Sequence, residues 1–166
     1  MAQTKVPTVE LSLVSEKGAS LESRLDQLVE TAVQKVRDGA EILVLSDADL
    51  SSESTYIPSL LATGAVHHKL LDENLRSKCS IVVNTAQCWS THHYATLIGY
   101  GASAICPYMA YETIRQDANG KAAKKAGYDG ITVAEALANY KKSVNAGILK
   151  ILSKMGISLL LSLIHI

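Results

Sequence analysis

An α/β fold organised on a parallel sheet is the architecture this sequence predicts, and three observations predict it. The stretch Cys79–Cys106 holds a complete strand–helix–strand unit: an apolar run with Ile81, Val82 and Val83, a polar turn, a short helix, and a second strand that Pro107 ends. So short a passage through a helix implies parallel strands and a right-handed crossover. Upstream, Glu41–Leu45 (EILVL) is almost wholly apolar, as a strand covered on both faces should be. Between this run and the first strand, Leu21, Leu25, Leu28, Val29, Ala32, Val33 and Val36 fall on one helical face.

Taken in order, Val9–Val14 (VELSLV) alternates and opens the sheet. Glu16–Ala19 is a turn, Ser20 stands at the N-cap position of the first helix, and Gly39 sits where a glycine just past the end would stop it. After the Glu41–Leu45 strand, Ser46–Asp49 and Ser51–Ser54 read as a polar loop. Pro58 suits the first turn of a second helix. Ile57, Leu60, Leu61, Ala65, Val66 and Leu70 form its expected buried stripe, and Gly64 weakens it. Asp72–Lys78 is a charged connection into the strand Cys79–Thr85.

Gln87–Thr91 is the next turn, with Ser90 or Thr91 capping a helix over His92–Tyr100 that presents Tyr94, Leu97 and Ile98. It stops at Gly99-Tyr100-Gly101, and Ser103–Cys106 is the following strand. Tyr108–Arg115 reads as a short helix, and Asp117–Asp129 has the small, polar composition of a linker. Thr132 and Glu135 frame a capping box that opens a long helix to about Lys154. Ala134, Leu137, Ala138, Lys141, Val144, Ile148, Leu149 and Ile151 mark its course.

With 166 residues the chain is long enough for one domain with a real core. Sixteen basic residues balance sixteen acidic ones, so bulk charge gives no support for a nucleic-acid or anionic-membrane partner. Three cysteines at irregular spacing make no disulfide framework, and a reducing cytoplasm or plastid stroma is expected. Met1–Glu10 lacks an apolar signal core, and Met155–Ile166 is too short and too polar to span a bilayer, so a soluble chain is expected.

Four sets of residues are candidates for chemistry. Asp47 and Asp49 follow a strand, at the carboxyl edge where parallel α/β sheets place ligands. They could hold a divalent cation in a receiver-like module, or simply cap and solvate their loop; without a third acid and a lysine the second reading is the better one. Adjacent helical residues point about 100° apart, so neither His67-His68 nor His92-His93 chelates one metal from one face. Cys79, Cys88 and Cys106 have no zinc-knuckle or cluster spacing; Cys88, in a loop, is the one to test for reactivity. Gly99-Tyr100-Gly101 follows a helix, whereas anion-binding glycines precede one. From the residues alone, no catalytic, cofactor or metal site is assigned.

Thr85–Gln116 (TAQCWSTHHYATLIGYGASAICPYMAYETIRQ) also resembles the central domain of the large glutamate synthase polypeptide. The likeness extends to Asp38–Leu50 (DGAEILVLSDADL), Ile57–Leu71 (IPSLLATGAVHHKLL) and Ile151–Ser158 (ILSKMGIS). The wording around Cys88 is similar to the ferredoxin-dependent branch. Ala48 departs from the pattern, standing where the family usually has arginine, and this weakens any role for Asp47.

The resemblance implies a partly barrel-like α/β architecture. It also implies an enzyme that makes L-glutamate from L-glutamine and 2-oxoglutarate, with electrons passing through FMN and a 3Fe-4S cluster. None of that family's catalytic residues falls on this chain. Neither cofactor is expected to bind it, and its partners would be the other domains and, for the whole enzyme, ferredoxin. Residues 1–116 are expected to close the central domain, 117–130 to link, and 131–160 to begin the flavin domain. Leu161–Ile166 (LSLIHI) departs from the family and is expected to be non-native. Cut from a larger body, the Thr132–Lys154 helix is expected to have lost its packing surface and to fray or self-associate.

Overall fold

The computed structural model describes residues 6–119 and 130–159. Four parallel strands form its sheet: β1 (Thr8–Ser12), β3 (Ile42–Ser46), β5 (Ser80–Asn84) and β6 (Ala104–Cys106), in that spatial order. Helices α1 (Leu21–Arg37), α2 (Ser59–Asp72) and α3 (Thr91–Gly99) make the three crossovers. The α/β class and the alternating βα units are therefore as the sequence predicts.

Strand order decides where the helices lie. Each crossover steps to the next strand in the same direction, and right-handed crossovers of that kind place every helix on one face. The core agrees with this. Leu28, Ala32, Val33 and Val36 of α1, Ala62, Val66 and Leu70 of α2, and Tyr94 and Leu97 of α3 join one cluster with Leu11, Leu43, Leu45, Ile81 and Val83. Neighbouring helices pack side by side, α1 on α2 and α2 on α3. This is the winding of a barrel wall, here open at both edge strands.

The two faces of the sheet differ accordingly. Leu43, Leu45, Ile81 and Val83 are fully enclosed, while Ile42, Val44 and Val82, pointing the other way, are half-buried. The cover on both faces expected for the Glu41–Leu45 strand is thus present on one face among the described residues.

Several local expectations are corrected. The first predicted strand is two: after Leu13, whose N–H donates to the Ser46 carbonyl at 2.7 Å, β2 (Val14–Glu16) pairs antiparallel with β4 (Ser54–Tyr56). Three residues inside a serine-rich loop are too few to show strand periodicity. On α2 the buried stripe is rotated to Ala62, Thr63, Val66, His67 and Leu70, leaving Leu61 exposed, because small residues let this helix seat deeply between α1 and α3. Gly64 belongs to that fit: a Cβ there would meet the Tyr100 ring at 3.0 Å. Leu21, at the start of α1, is exposed rather than buried.

Two helices complete the chain, α4 (Tyr108–Asn119) and α5 (Val133–Lys154). The predicted linker Asp117–Asp129 begins inside α4, and its residues 120–129 lie outside the described ones. Thr132 and Glu135 form the predicted capping box. Thr132 Oγ1 accepts from the Glu135 N–H at 3.2 Å, and Glu135 Oε2 accepts from the Thr132 N–H at 2.9 Å.

The expected loss of packing around α5 is corrected too. The helix lies against α3 and α4, with Val144 and Leu152 buried and Leu137, Ile148 and Ile151 half-buried. Gly147 makes the close approach possible, since a Cβ there would stand 2.6 Å from Thr91 Cγ2. That contact gives a test with opposite signs. In an undocked helix Gly147→Ala adds about 1 kcal/mol of stability through helix propensity alone. Against Thr91 it overpacks, and urea denaturation should show a net loss of about 1–3 kcal/mol.

Candidate functional site at the carboxyl edge of the sheet

One-directional winding gathers the loops that follow β3 and β5, and the start of α4, at the carboxyl ends of the strands. Asp47 stands at the centre of that edge and is only 1% exposed. Its carboxylate accepts three hydrogen bonds: Oδ2 from Thr85 Oγ1 at 2.6 Å and from Gln87 Nε2 at 2.9 Å, and Oδ1 from the Ala86 N–H at 2.9 Å. A buried carboxylate is tolerated only when its lone pairs are so engaged. The Gln87 side chain turns its other end to α2, accepting from the Ser59 N–H at 3.3 Å. Tyr108, opening α4, donates to the Asp47 carbonyl at 3.3 Å. Burial, with Asp47 close by, pushes the Tyr108 phenol up to about 12.

Asp49 does not join Asp47; it is exposed on the outer turn. Among the described residues no three His, Cys, Asp or Glu side chains gather round one point. What the edge does chemically is hold loops: one carboxylate ties the end of β3 to the β5–α3 loop, and Gln87 ties that loop to α2.

The histidines are likewise separated by the fold. His67 is buried on α2, its Nδ1 accepting from Arg76 Nε at 2.9 Å. The rest of the Arg76 guanidinium donates to the carbonyls of Cys79 at 2.7 Å and Gly101 at 2.8 Å, so one cation satisfies three separate segments. Burial lowers the Arg76 pKa from its usual value. Gly101, at φ +109°, turns the chain where a Cβ would lie 2.4 Å from His67 Nδ1. The Gly99–Gly101 turn is therefore filled by an imidazole. His68, His92 and His93 are exposed, and His93 Nδ1 accepts from the Trp89 N–H at 3.2 Å.

Cys88, the cysteine singled out to test for reactivity, is 1% exposed, and burial pushes its thiol up to about 12. Cys79 is also buried and its thiol is raised, again by burial; Cys106 is half-buried. Beside Cys88, the Tyr94 hydroxyl lies 3.0 Å from that of Tyr140 on α5, and burial raises the Tyr94 pKa. The Tyr111 ring meets Tyr140 edge-on at 6.0 Å, under Lys141. Next to this cluster Trp89, Met109, Ala110 and Ile114 line an open cavity of about 360 Å³.

The profile of the glutamate synthase central domain matches residues 1–164 of this chain. The chain belongs to the glutamate synthase central-domain family. It is 56% identical over 151 residues to ferredoxin-dependent glutamate synthase 2 of Synechocystis, covering 86% of this chain and 10% of that protein. The ferredoxin-dependent glutamate synthase of Pyropia yezoensis is also 56% identical, over 149 residues, with the same coverage. The Arabidopsis thaliana ferredoxin-dependent glutamate synthase 1, chloroplastic/mitochondrial, is 52% identical over 155 residues, 86% of this chain and 9% of that protein. The chain thus spans about a tenth of the length of these relatives.

In this central-domain segment, sequence reasoning found Asp47 but missed Thr85, Gln87, Arg76 and Tyr140, which give the site its form. Thr85 and Gln87 close the strand neighbouring that of Asp47, and their position was the available signal. Arg76 is hidden among other charges in the Asp72–Lys78 connection, and Tyr140 is hidden on a helix read only for its aliphatic residues.

Asp47→Asn places an amide N–H₂ among donors and should lose about 2–4 kcal/mol in urea denaturation. Asp49→Asn, on the surface, should stay within about 0.5 kcal/mol of the parent. Cys88 sets a pH dependence. A thiol whose folded pKa is raised contributes stability fully present below its unfolded pKa, and this contribution is lost as pH rises through the folded value. Stability should therefore fall between pH 9.0 and about 12, and less steeply in Cys88→Ala. In the folded chain at neutral pH, iodoacetamide should leave Cys88 unmodified until urea is added.

Proposed function

We propose that this chain is a structural segment of a ferredoxin-dependent glutamate synthase, standing between the amidotransferase and flavin domains of the parent polypeptide. The observation that carries this reading is the match to the central-domain profile across residues 1–164, with relatives of that name at 44–56% identity. The parent enzyme takes the amide nitrogen of L-glutamine to 2-oxoglutarate and reduces the product to L-glutamate. Ferredoxin supplies the electrons, which pass through a 3Fe-4S cluster and FMN.

On this reading the rest of the polypeptide holds both cofactors, and the chemistry of the described residues supports it. The glycine turn that could approach a phosphate is occupied by His67, and no set of cysteines converges. On this reading no step of the reaction is assigned to this segment, and no catalytic residue is assigned among the described residues. Its part is to hold shape, through the Asp47 and Arg76 ties. A receiver-like use of Asp47 and Asp49 is disfavoured: one carboxylate is engaged internally and the other faces solvent.

The division at residues 117–130 rests on composition. On this division residues 1–116, of which 6–116 are described and form the sheet and its covering helices, close the central domain, and 131–160 lead toward the flavin domain, although α5 also packs on α3 and α4 and the family match continues through it. Plant relatives are named chloroplastic, which favours a plastid stroma; among the described residues no helix is long and apolar enough to cross a membrane.

Mass spectrometry of the native gene product should find a polypeptide about ten times this length, as the 10% coverage of its relative indicates. The isolated chain should form no glutamate from glutamine and 2-oxoglutarate and should purify without flavin absorbance. A native product of 17.8 kDa, or a yellow purified chain, would sink the reading.

A further inference from the structure

We propose that His67 and Arg76 form an acid-sensitive latch at the amino edge of the sheet, in which a proton taken up by His67 expels Arg76 and frees the Gly99–Gly101 turn. This edge lies opposite the one that Asp47 ties, and the inference stands apart from the reading of the chain as a segment of an enzyme.

The geometry fixes the protonation state. A neutral imidazole has one donor nitrogen and one acceptor. His67 Nδ1 accepts from Arg76 Nε at 2.9 Å, so the ring proton sits on Nε2 and Nδ1 turns its lone pair to a cation. A second proton, on Nδ1, would point at the Arg76 N–H. The acceptor is then lost, and two positive charges meet at hydrogen-bond distance inside the fold. The titratable groups around His67 are Arg76 and Cys79 of the α2–β5 connection, Tyr100 at the end of α3, and His68 on α2 itself, its ring edge-on at 5.4 Å. Arg76 has the sign of the imidazolium it would face. Burial raises the Cys79 thiol, so at neutral pH no thiolate there balances the pair.

The ring has no room to move away. His67 is 5% exposed, and Gly101 lies so close that a Cβ there would stand 2.4 Å from Nδ1. Arg76, half-buried on the short turn Arg76–Lys78, can swing to water and is the group that leaves. Its departure takes the donors from the carbonyls of Cys79, at 2.7 Å, and Gly101, at 2.8 Å, together. Those carbonyls lie in the turns that lead into β5 and β6, so one proton loosens the entry of two strands. The closed latch takes up that proton less readily than an opened or unfolded chain does. Its closure is therefore fully favoured above the pKa of an exposed histidine, about 6.5, and weakens by up to about tenfold per pH unit below it.

Amide hydrogen exchange on the full 166-residue chain tests this, read as protection factors so that the intrinsic pH dependence of exchange is removed. Ala102 and Ser103, whose N–H groups donate to the Leu97 and Ile81 carbonyls just past the turn, are the reporters. Between about pH 6.5 and 5 their protection should fall by about ten- to thirtyfold in the parent. It should stay within about threefold in His67→Asn, whose amide oxygen accepts from Arg76 but takes up no proton. An equal fall in parent and variant overturns the proposal. Imidazole nitrogen NMR on the parent gives a second measurement that needs no variant. At pH 7 the His67 proton should sit on Nε2, and Nδ1 should take up its own only below the pH at which a histidine in a short peptide does so. A proton on Nδ1 at pH 7, or uptake at or above the peptide's pH, overturns the proposal. Should His67→Asn fail to fold, this measurement decides alone.

Discussion

Handedness is the constraint on which the rest of this structure depends. An L-polypeptide passing from strand to helix to parallel strand turns to the right, and here all three passages step the same way across the sheet. One helical layer follows, packed α1 to α2 to α3, and so does one enclosed face carrying Leu43, Leu45, Ile81 and Val83. The gathering of the β3 and β5 loops along one edge follows as well. Nothing in the side chains has to specify this gathering; they have only to make good use of it.

They use it to tie loops rather than to expose reactive groups. Asp47 is buried and Arg76 half-buried, and each is answered by several neutral partners from different segments. Buried ions satisfied in this way add little net stability compared with apolar packing, but removing a partner is expensive, so they favour one arrangement of loops over others. That is the character of a scaffold, in keeping with the role proposed for this central-domain segment.

The sequence was readable where a single periodicity governs and obscure where two surfaces compete. Strands over Glu41–Leu45 and Cys79–Thr85, the α1 face and the Thr132 capping box are local patterns, and each appears in the structure within a residue or two. The α2 stripe failed because this helix is pressed from two sides, so that small Ala62, Thr63 and Gly64 are enclosed and large Leu61 is not. The β2–β4 ribbon failed because three residues carry no period. Asp47 was legible as a position, while its meaning depended on Thr85 and Gln87, nearly forty residues away in the chain and adjacent only after β3 and β5 align. The docking of α5 could not be read from its aliphatic residues alone; it turns on one glycine and on the tyrosine hydroxyls that meet across the gap.

That glycine also makes α5 a gauge. Thr91 fits against the helix only where a side chain is missing, and one turn of sliding, about 5.4 Å, would bring Ser143 or Ile151 there instead. The helix therefore has a single axial setting, like a rod with one notch resting on a pin. The pin is the first residue of α3, directly after the Cys88–Ser90 loop. A load applied along α5 from Lys154, about 10 Å beyond the notch, is borne at that loop rather than dissipated in slippage. The position of the loop and the position of the helix end are thus one mechanical coordinate.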